Sequence, residues 1–192
     1  MIAIIDYKAG NVSSVRNALD RLGYESFVSD NPERIKAADK VIFPGVGEAS
    51  SAMAILTEKG LDKTIKSLKQ PVLGICLGMQ LMCKHSEEGN TDCLGIFDAK
   101  VKRFPENEMV PHMGWNTFKS KDNNMLSGIG KESDVYFVHS YYAEICDSTI
   151  ASTDYILPFS AAMQKDNYYA TQFHPEKSAG IGAQILKNFL EL

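Results

Sequence analysis

The sequence PVLGICLGMQLM occupies residues 71–82 and sets Cys76 between Gly74 and Gly78, where two apolar runs meet. The first run, residues 72–75, has the length and composition of a strand that is buried on both faces. The second run carries apolar residues at a spacing typical of a helix. The stretch therefore predicts a buried β-strand that ends at the cysteine and a helix that begins directly after it.

The residues before this stretch repeat the same order of strand and helix. Short apolar runs, and an alternating pattern over residues 24–30, predict the strands. Helical spacing with Asn, Pro or Gly at the ends predicts the helices. The predicted strands are residues 1–7, 24–30, 40–43 and 72–75, and the predicted helices are residues 12–22, a short one opening at Asn31-Pro32, residues 48–59 and a second short one before Pro71. The alternation indicates an α/β fold with a parallel sheet, which binds ligands at the carboxyl ends of its strands.

The second half of the chain has a different pattern. Its segments predict strands and hairpins with a turn at Asp166-Asn167, followed by a closing helix over residues 180–192. The predicted strand regions are residues 94–104, 110–119, 133–145 and 148–174. Because no linker, repeat or low-complexity segment interrupts the chain, residues 1–192 are predicted to form one domain with a mixed sheet.

Composition argues against several classes of protein. The 192 residues are 44% hydrophobic and 23% charged with a formal net charge of −4, so neither nucleic acid nor an anionic membrane surface is expected as a partner. No apolar run approaches the roughly 20 residues that cross a bilayer. The opening, MIAIIDYKAG, lacks a basic leader and predicts a strand rather than a signal peptide, which indicates a cytoplasmic protein.

One of the cysteines, Cys76, lies within a recognisable sequence motif. Gly74-Ile75-Cys76-Leu77-Gly78 has the form G-x-C-x-G, which is typical of a strand-to-helix elbow that presents a nucleophile. The start of the following helix favours the thiolate, and the Leu77 N–H is placed to donate to an oxyanion. The alternative is a buried cysteine in a tight turn. The other cysteines form no Cys-x-x-Cys pair, so free thiols are expected rather than a zinc site, with Cys83 in the core.

A base for such a thiol is available in YYATQFHPEKS, residues 168–178. Side chains two residues apart on an extended segment share a face, so Glu176 is placed to accept a hydrogen bond from His174. The other ring nitrogen is then left for the thiol. The alternative for His174 is a core or turn histidine. Structural roles are expected for the other histidines, which are His85, near a predicted helix carboxyl end, His112 and His139.

A second glycine-containing turn, PGVG at residues 44–47, follows the predicted strand 40–43. Its backbone amides are expected to face Cys76 and complete an oxyanion hole, because a small loop lets a substrate approach the backbone closely. The turn also resembles the start of a dinucleotide-binding fingerprint, with Ser50 at the third glycine position. A plain strand-to-helix turn is the remaining alternative.

In this order and at these separations, PGVG, GICLGMQ and HPEKS resemble the motifs of the triad (class I) glutamine amidotransferases, over essentially the whole chain. MIAIIDYKAGN, PHMGWN and VHSYYA resemble more specifically the members that act as glutaminase subunits in histidine biosynthesis. The resemblance implies an α/β, flavodoxin-like three-layer sandwich, whose mostly parallel sheet is extended by antiparallel strands and hairpins. It also implies a reaction without cofactor or metal.

The resemblance further implies that Cys76 is the nucleophile, His174 the general base and acid, and Glu176 the residue that orients His174. Glutamine is the implied substrate. The other implied site residues are Val46 or Gly47 with Leu77 as oxyanion-hole donors, and Gln80, Ser140 and Tyr141 for binding glutamine. Many members have a small residue or histidine and then an aromatic residue after PGVG, where this chain has Glu48-Ala49-Ser50.

The motifs indicate no second active site, and free ammonia would be lost to protonation in bulk water. The resemblance therefore implies a partner, a (β/α)₈-barrel cyclase subunit that docks over the glutaminase site and uses the ammonia. The implied interface residues are Met113, Trp115, Asn116 and Lys177. For Trp115, the single tryptophan, a core position is the alternative.

Three other functions stay open at this point. The chain is also compatible with the glutaminase of another synthase, in the pyridoxal phosphate or a sugar-amidine pathway. It is compatible with a stand-alone hydrolase of γ-glutamyl peptides, or with a non-catalytic binding module that keeps a relict elbow. The identity of the partner, activity without a partner and the reactivity of Cys76 distinguish these functions.

Overall fold

The structure, a computed structural model, describes residues 1–8, 10–105 and 109–192, so Ala9 of the opening motif lies outside the described residues. The strands of the described part are β1 (Ile2–Ile5), β2 (Ser26–Ser29), β3 (Lys40–Gly45), β4 (Val72–Cys76), β5 (His85–Ser86), β6 (Thr91–Asp92), β7 (Lys100–Arg103), β8 (His112–Ser120), β9 (Glu132–His139), β10 (Tyr141–Ala143), β11 (Thr149–Tyr155), β12 (Leu157–Lys165) and β13 (Tyr168–Thr171). The α-helices are α1 (Val12–Arg21), α2 (Pro32–Lys36), α3 (Ala49–Glu58), α4 (Leu61–Ser67), α5 (Leu77–Met82) and α6 (Ala179–Leu190). Short 3-10 helices span Glu88–Asn90, Asn124–Leu126 and Pro175–Lys177.

Among the described residues, nine strands form one sheet in the order β2-β1-β3-β4-β13-β12-β11-β8-β9. The first five strands run parallel, and the other four continue the sheet through antiparallel pairs. The strand β13 pairs in parallel with β4 and antiparallel with β12, so it joins the two halves. The predicted parallel sheet with an antiparallel extension is therefore confirmed.

Alternate residues of the parallel strands enter two hydrophobic cores, one on each face of the sheet. On β1, Ile2 and Ile4 pack in the core that contains residues of α1 and α6. Ala3 and Ile5 pack in the core that contains residues of α2, α3, α4 and α5. Helices thus cover both faces of the parallel half, which confirms the predicted three-layer α/β fold.

A second, smaller sheet, with the strand order β10-β7-β5-β6, was not predicted from the sequence. Two of its strands, His85–Ser86 and Thr91–Asp92, are two residues long, too short for an alternating pattern to be visible. The sheet adds Val101 and Ala143 to the core on the α2–α5 side. It therefore closes this side of the molecule beyond the end of α5.

The prediction of a strand over residues 94–99 was wrong, and the helix predicted to end near His85 ends three residues before it, at Met82. The helix α5 stops at Met82 because N–H groups of residues 94–97 donate to the carbonyl oxygens of residues 81–83. His85 therefore lies on β5, where its Nδ1 is 3.0 Å from Oδ1 of Asp92. Of the predicted strand 94–104, only Lys100–Arg103 is a strand.

The cysteines are all free thiols, and Cys83 is fully buried in the core as predicted. In the described ranges, no helix has the length and apolar character needed to span a bilayer. Those same residues contain no group of three or more His, Cys, Asp or Glu side chains arranged to hold a metal ion.

Candidate active site

Three chain segments meet at the carboxyl end of the parallel half of the sheet. The strands β3 and β4 are neighbours with Gly45 beside Cys76, so the PGVG loop and the elbow leave the sheet side by side. On the other side of β4, Thr171 of β13 lies beside Ile75, and the chain reaches His174 three residues later. The order of the strands thus brings the predicted nucleophile, base and oxyanion loop to one edge.

Cys76 stands at a sharp turn between β4 and α5. Its φ of 54° and ψ of −108° lie in a region that residues other than glycine rarely occupy, and such strain is typical of a nucleophile elbow. The turn is tight because α5 packs directly on β3: a Cβ on Gly78 would lie 1.9 Å from the carbonyl oxygen of Phe43. Packing therefore requires the second glycine of the G-x-C-x-G motif.

His174 follows β13 and is held by both its side chain and its backbone. Its Nδ1 lies 2.7 Å from Oε1 of Glu176, and both side chains are almost fully buried. The backbone N–H of His174 donates to the carbonyl oxygen of Tyr136 on β9 at 2.9 Å, and its carbonyl accepts from Oγ of Ser178 at 2.6 Å. Because a carboxylate has no hydrogen to donate, Nδ1 carries a proton, and Nε2 is the ring nitrogen that gains or loses the second one.

The imidazole of His174 is suited to accept a proton. Its Nε2 is buried and makes no hydrogen bond of standard geometry with the described residues, while the Cys76 thiol is near enough to act on the ring. Burial lowers the pKa of His174, but the interactions with Cys76 and Glu176 outweigh burial and raise this pKa above its usual value. A raised pKa is the property that a base for the thiol requires.

The PGVG loop is fixed by the residue that follows it. Gly47 has a φ of 110°, in the left-handed region that favours glycine. Glu48 caps α3, with its carboxylate accepting the backbone N–H groups of Ser50 and Ser51 at 3.2 and 2.9 Å. Hydrogen bonds from both serine hydroxyls and from these amides lower the pKa of Glu48 to about 2. The Glu48-Ala49-Ser50 sequence therefore starts the helix and anchors the loop.

A cavity of about 340 Å³ opens beside Cys76. Its volume lies at the lower end of the range of small-molecule sites, about 300–1,000 Å³. The predicted site residues that line it are Val46, Gly47, Cys76, Leu77, Gln80, Ser140 and Tyr141. His174 and Glu176 do not line the cavity, because they lie buried next to the thiol.

Glu88 is a cavity residue that the sequence analysis did not identify. It lies in the 3-10 helix Glu88–Asn90, and its Oε2 accepts the backbone N–H of Ala49 at 2.9 Å. Burial raises the pKa of the Glu88 carboxyl group. No motif surrounds Glu88, and its position depends on an irregular segment that the sequence did not predict.

Gln172 is the second residue that was missed. Its Nε2 lies 3.7 Å from Sγ of Cys76, and its Oε1 accepts from Nε2 of Gln80 at 3.0 Å. Gln80 also donates to the carbonyl oxygen of Tyr141 at 2.9 Å. A signal for Gln172 was present, because it precedes His174 by two residues, the spacing that linked His174 to Glu176.

His112 and His139 form a buried pair beside the cavity. Nδ1 of His139 lies 2.7 Å from the carbonyl oxygen of Tyr141, which can only accept, so this nitrogen carries the proton. Nε2 of His139 then accepts from Nδ1 of His112 at 3.0 Å, and Nε2 of His112 accepts from the Asn116 amide at 3.2 Å. Both rings are therefore neutral. Burial lowers the pKa of His112 to about 4 and the pKa of His139 to about 3.

Three of the residues predicted to contact a partner lie on β8, on its two faces, and the fourth lies on a 3-10 helix. Met113 and Trp115 share one face and are 63% and 56% exposed, so Trp115 is not a core residue. Lys177 is exposed on the 3-10 helix that follows His174. Asn116 lies on the opposite face of β8, where its amide bonds to His112. Only Met113 and Trp115 form a shared apolar surface.

Comparisons with known proteins find similar proteins over nearly the whole length of the chain. The model of the family described as "Glutamine amidotransferase class-I" matches residues 3–192. A protein of Bacteroides fragilis (strain YCH46) named "Imidazole glycerol phosphate synthase subunit HisH" is 60% identical, over 100% of this chain and 99% of that protein. A protein with the same name from Pasteurella multocida (strain Pm70) is 49% identical, over 99% and 97% of the two chains.

The fold also has solved counterparts. A crystal structure described as that of a glutamine amidotransferase aligns with a TM-score of 0.77 at 20% identity, over 100% of this chain and 98% of that chain. This likeness concerns the fold, whereas the family match covers the PGVG, GICLGMQ and HPEKS motifs as well. The family predicted from these motifs is thereby confirmed: the chain belongs to the class-I glutamine amidotransferases.

Proposed function

We propose that the chain is the glutaminase subunit of an imidazole glycerol phosphate synthase, which hydrolyses glutamine at Cys76 and passes ammonia to a partner subunit. The observation that carries this proposal is the meeting of Cys76, on a strained elbow, with the buried His174–Glu176 pair next to a cavity. The full-length relatives that bear the synthase name support the choice of pathway.

In the first half of the reaction, the Cys76 thiol gives its proton to Nε2 of His174, and the sulfur attacks the side-chain amide carbon of glutamine. The carbonyl electrons move to the oxygen, which accepts hydrogen bonds from the Leu77 N–H and from Val46 or Gly47. The imidazolium then protonates the amide nitrogen, the C–N bond breaks, and ammonia leaves. A glutamyl thioester remains on Cys76.

In the second half, His174 takes a proton from water as the water oxygen attacks the thioester carbon. The C–S bond breaks, glutamate leaves, and the sulfur recovers its proton from His174. Glu176 keeps the imidazole in one tautomer and stabilises it while it is charged, as the acid of a catalytic triad does. No step of this cycle requires a cofactor or metal.

The polar lining of the cavity suits a free amino acid. Glutamine carries an α-ammonium and an α-carboxylate, and a site for it has to match both charges as well as the side-chain amide. Glu88 supplies a carboxylate for the ammonium, while Gln80 and the backbone around Ser140 and Tyr141 supply hydrogen-bonding groups. The sulfur of Cys76 lies in the same wall and is therefore within reach of the substrate.

The product ammonia requires a partner that shields it from bulk water. The exposed apolar residues nearest the cavity rim are suited to such docking: Val46 lines the cavity, and Met113 pairs on the sheet with the cavity residue Val138. Trp115 and Lys177 extend this surface, and the Asn116 side chain supports it from the opposite face of β8. We propose a (β/α)₈-barrel cyclase as the partner, in a heterodimer that works in the cytoplasm.

The test measures glutamate released from glutamine, with and without the cyclase and its nucleotide ligand. Wild type is expected to require the loaded partner for full activity, and Cys76→Ala is expected to release no glutamate in any mixture. Cys146→Ala is the matched control, because it removes a thiol outside the site, and it is expected to behave as wild type.

Other results identify the competing functions. Full activity of the isolated chain, or turnover of γ-glutamyl peptides, would indicate a stand-alone hydrolase. Stimulation by the synthase of another pathway, but not by the cyclase, would assign the chain to that pathway. Activity that persists in Cys76→Ala would contradict the proposed mechanism itself.

A further inference from the structure

Gln172 connects the nucleophile with the cavity wall. Its side chain is completely buried, and its backbone N–H donates to the carbonyl oxygen of Ala161 on β12 at 2.8 Å. One end of the side-chain amide lies 3.7 Å from Sγ of Cys76, and the other lies 3.0 Å from the amide of Gln80. The backbone of this residue is therefore anchored while its side chain spans from the sulfur to Gln80.

Hydrogen-bond chemistry fixes which end of this amide faces the sulfur. The carbonyl oxygen of Tyr141 can only accept, so the Gln80 atom 2.9 Å from it has to be the NH₂ group. The same NH₂ group contacts Gln172, so the Gln172 atom at that contact has to be Oε1. Nε2 of Gln172 is consequently the atom next to the sulfur, with an N–H to donate.

We propose that Gln172 is a catalytic residue that donates an N–H of Nε2 to the sulfur of Cys76 and stabilises the thiolate. This inference rests on the proposed role of Cys76 as nucleophile. The donor replaces solvation, because Cys76 is only 7% exposed and a buried thiolate is otherwise costly. The N–H donor stabilises the charged sulfur more than the neutral thioester. It therefore stabilises the thiolate when the sulfur attacks glutamine and when it leaves the thioester.

The surroundings of the sulfur explain why a donor is needed. The carbonyl oxygen of Val138 lies 3.9 Å from Sγ and accepts the thiol hydrogen. Once the proton has moved to Nε2 of His174, this oxygen faces the thiolate with like partial charge. Gln172 then provides a dipole of the favourable sign, and its contact with Gln80 keeps that dipole aligned.

A purely structural role is the competing explanation, because loss of Gln172 also removes one partner of Gln80. The two roles predict different results. Loss of support for Gln80 affects glutamine binding and raises KM. Loss of the donor to Cys76 affects every reaction of the thiolate, including reactions with reagents that occupy no glutamine site.

The experiment is alkylation of Cys76 by iodoacetamide in the full chain, followed at the Cys76 peptide by mass spectrometry because the other cysteines are also free. Gln172→Met keeps an unbranched side chain of similar length and removes the donor. Alkylation at neutral pH is expected to slow about tenfold, the lower end of what a hydrogen bond to a charged group contributes. The pH profile of the rate is expected to move to higher pH.

Gln164→Met on β12 is the matched control. The Gln164 amide contacts Asn123 and Asp166 rather than Cys76, so the alkylation rate of this variant is expected to equal that of wild type. If Gln172→Met alkylates Cys76 at the wild-type rate and only raises KM for glutamine, Gln172 serves Gln80 and the inference is overturned. If Cys76→Ala retains glutaminase activity, the proposed function fails instead.

A second measurement needs no variant of Gln172, so it still tests the inference if Gln172→Met does not fold. The side-chain amide resonances of Gln172 are followed by NMR as the pH is raised and after Cys76 is alkylated. They are expected to shift along the same pH profile as the alkylation rate, and this change is expected to disappear in Cys76→Ala. Resonances that respond to neither treatment would overturn the inference.

Discussion

The two halves of the sheet form opposite walls of one site by different means. In the parallel half, the elbow is positioned by backbone contact, with Gly78 pressed against the carbonyl oxygen of Phe43. The opposite wall continues from the end of β9 in the antiparallel half, and it is positioned by side-chain hydrogen bonds: Gln80 of α5 and His139 of β9 both bond to the carbonyl oxygen of Tyr141, the first residue of β10. Close packing is sensitive to shape, whereas a hydrogen-bonded histidine is sensitive to pH. The two walls are therefore expected to fail under different perturbations.

His174 belongs to both halves at once. It follows β13, which pairs with β4, while its backbone N–H donates to Tyr136 on the edge strand β9. The Ser178 hydroxyl strengthens this link, since it accepts the Tyr136 N–H at 2.9 Å and donates to the His174 carbonyl. The proposed base is thus the point where a disturbance in either half is expected to reach the chemistry.

The largest effect is expected at this shared point. His174→Ala removes the proton acceptor and donor of both half-reactions, so kcat for glutamate release is expected to fall about 10³-fold, within the range for general acid–base catalysis. His85→Ala removes an imidazole from the small sheet and is expected to retain wild-type kcat. Steady-state assays with the partner present measure both variants. If His174→Ala kept a tenth of the wild-type activity, His174 would not be the base of this site.

Shape is tested next, in the parallel half. Gly78→Ala places a methyl group against a backbone atom that cannot move freely, and the free energy of unfolding is expected to fall by about 3 kcal/mol. Gly180→Ala is the matched control, because a Cβ at Gly180 on α6 meets nothing within 4 Å. It is expected to stabilise by about 0.5–1 kcal/mol. Urea unfolding measures both, and equal effects would show that α5 yields more easily than its packing indicates.

Acid is expected to act on the antiparallel half. The pKa values of His112 and His139, about 4 and about 3, lie below the ordinary value of 6.5, so the unfolded chain binds protons that the native chain does not. Stability is therefore lost as the pH falls below 6.5, by about 1.4 kcal/mol per pH unit for each histidine. His112→Phe is expected to make this decline shallower by one histidine's share between pH 6.5 and 5. Urea titrations at several pH values test it, and an unchanged slope would place the acid sensitivity elsewhere.

The smallest effect on stability is expected at the exposed surface. Trp115→Ala is expected to cost at most about 1 kcal/mol of unfolding free energy, because Trp115 is largely exposed and packs against Tyr136 alone among the described aromatic rings. The affinity of the Trp115→Ala variant for the cyclase is expected to fall at least about tenfold. Ile145→Ala, at another exposed apolar residue, is the control and is expected to leave affinity unchanged. Equal affinity of all three proteins would move the docking surface away from β8.

The parallel half was predictable because its signals are local. The strands β1, β3 and β4 are apolar runs, β2 lies in an alternating segment, and helix signals follow them, such as Asn31, whose side chain caps α2 by accepting from Glu33 and Arg34. The second half contains more long-range pairing. The small sheet joins β7 to β10, about 40 residues later in the chain, and its two-residue strands leave no pattern in the sequence.

The site shows the same division. Cys76, His174 and Glu176 lie in motifs whose chemistry is local, and the sequence predicted them together. Glu88 acquires its place only because distant elements meet around the cavity. Gln172 had a signal in its spacing from His174, but its contact with Cys76 depends on the pairing of β13 with β4. Sequence spacing predicts which side chains share a strand, but which strands become neighbours depends on the packing of the whole domain.

Because β13 lies late in the chain, it is synthesised well after β4, the strand it pairs with. His174 is the 98th residue after Cys76, and a ribosome synthesises such a stretch in roughly 5–20 s at the usual rate of elongation. Until then, β4 has no neighbour on the side that β13 will occupy, and His174, the proposed base, has not been made. We therefore expect a nascent chain to carry Cys76 without its proposed base, and β4 with an open edge, until β13 inserts.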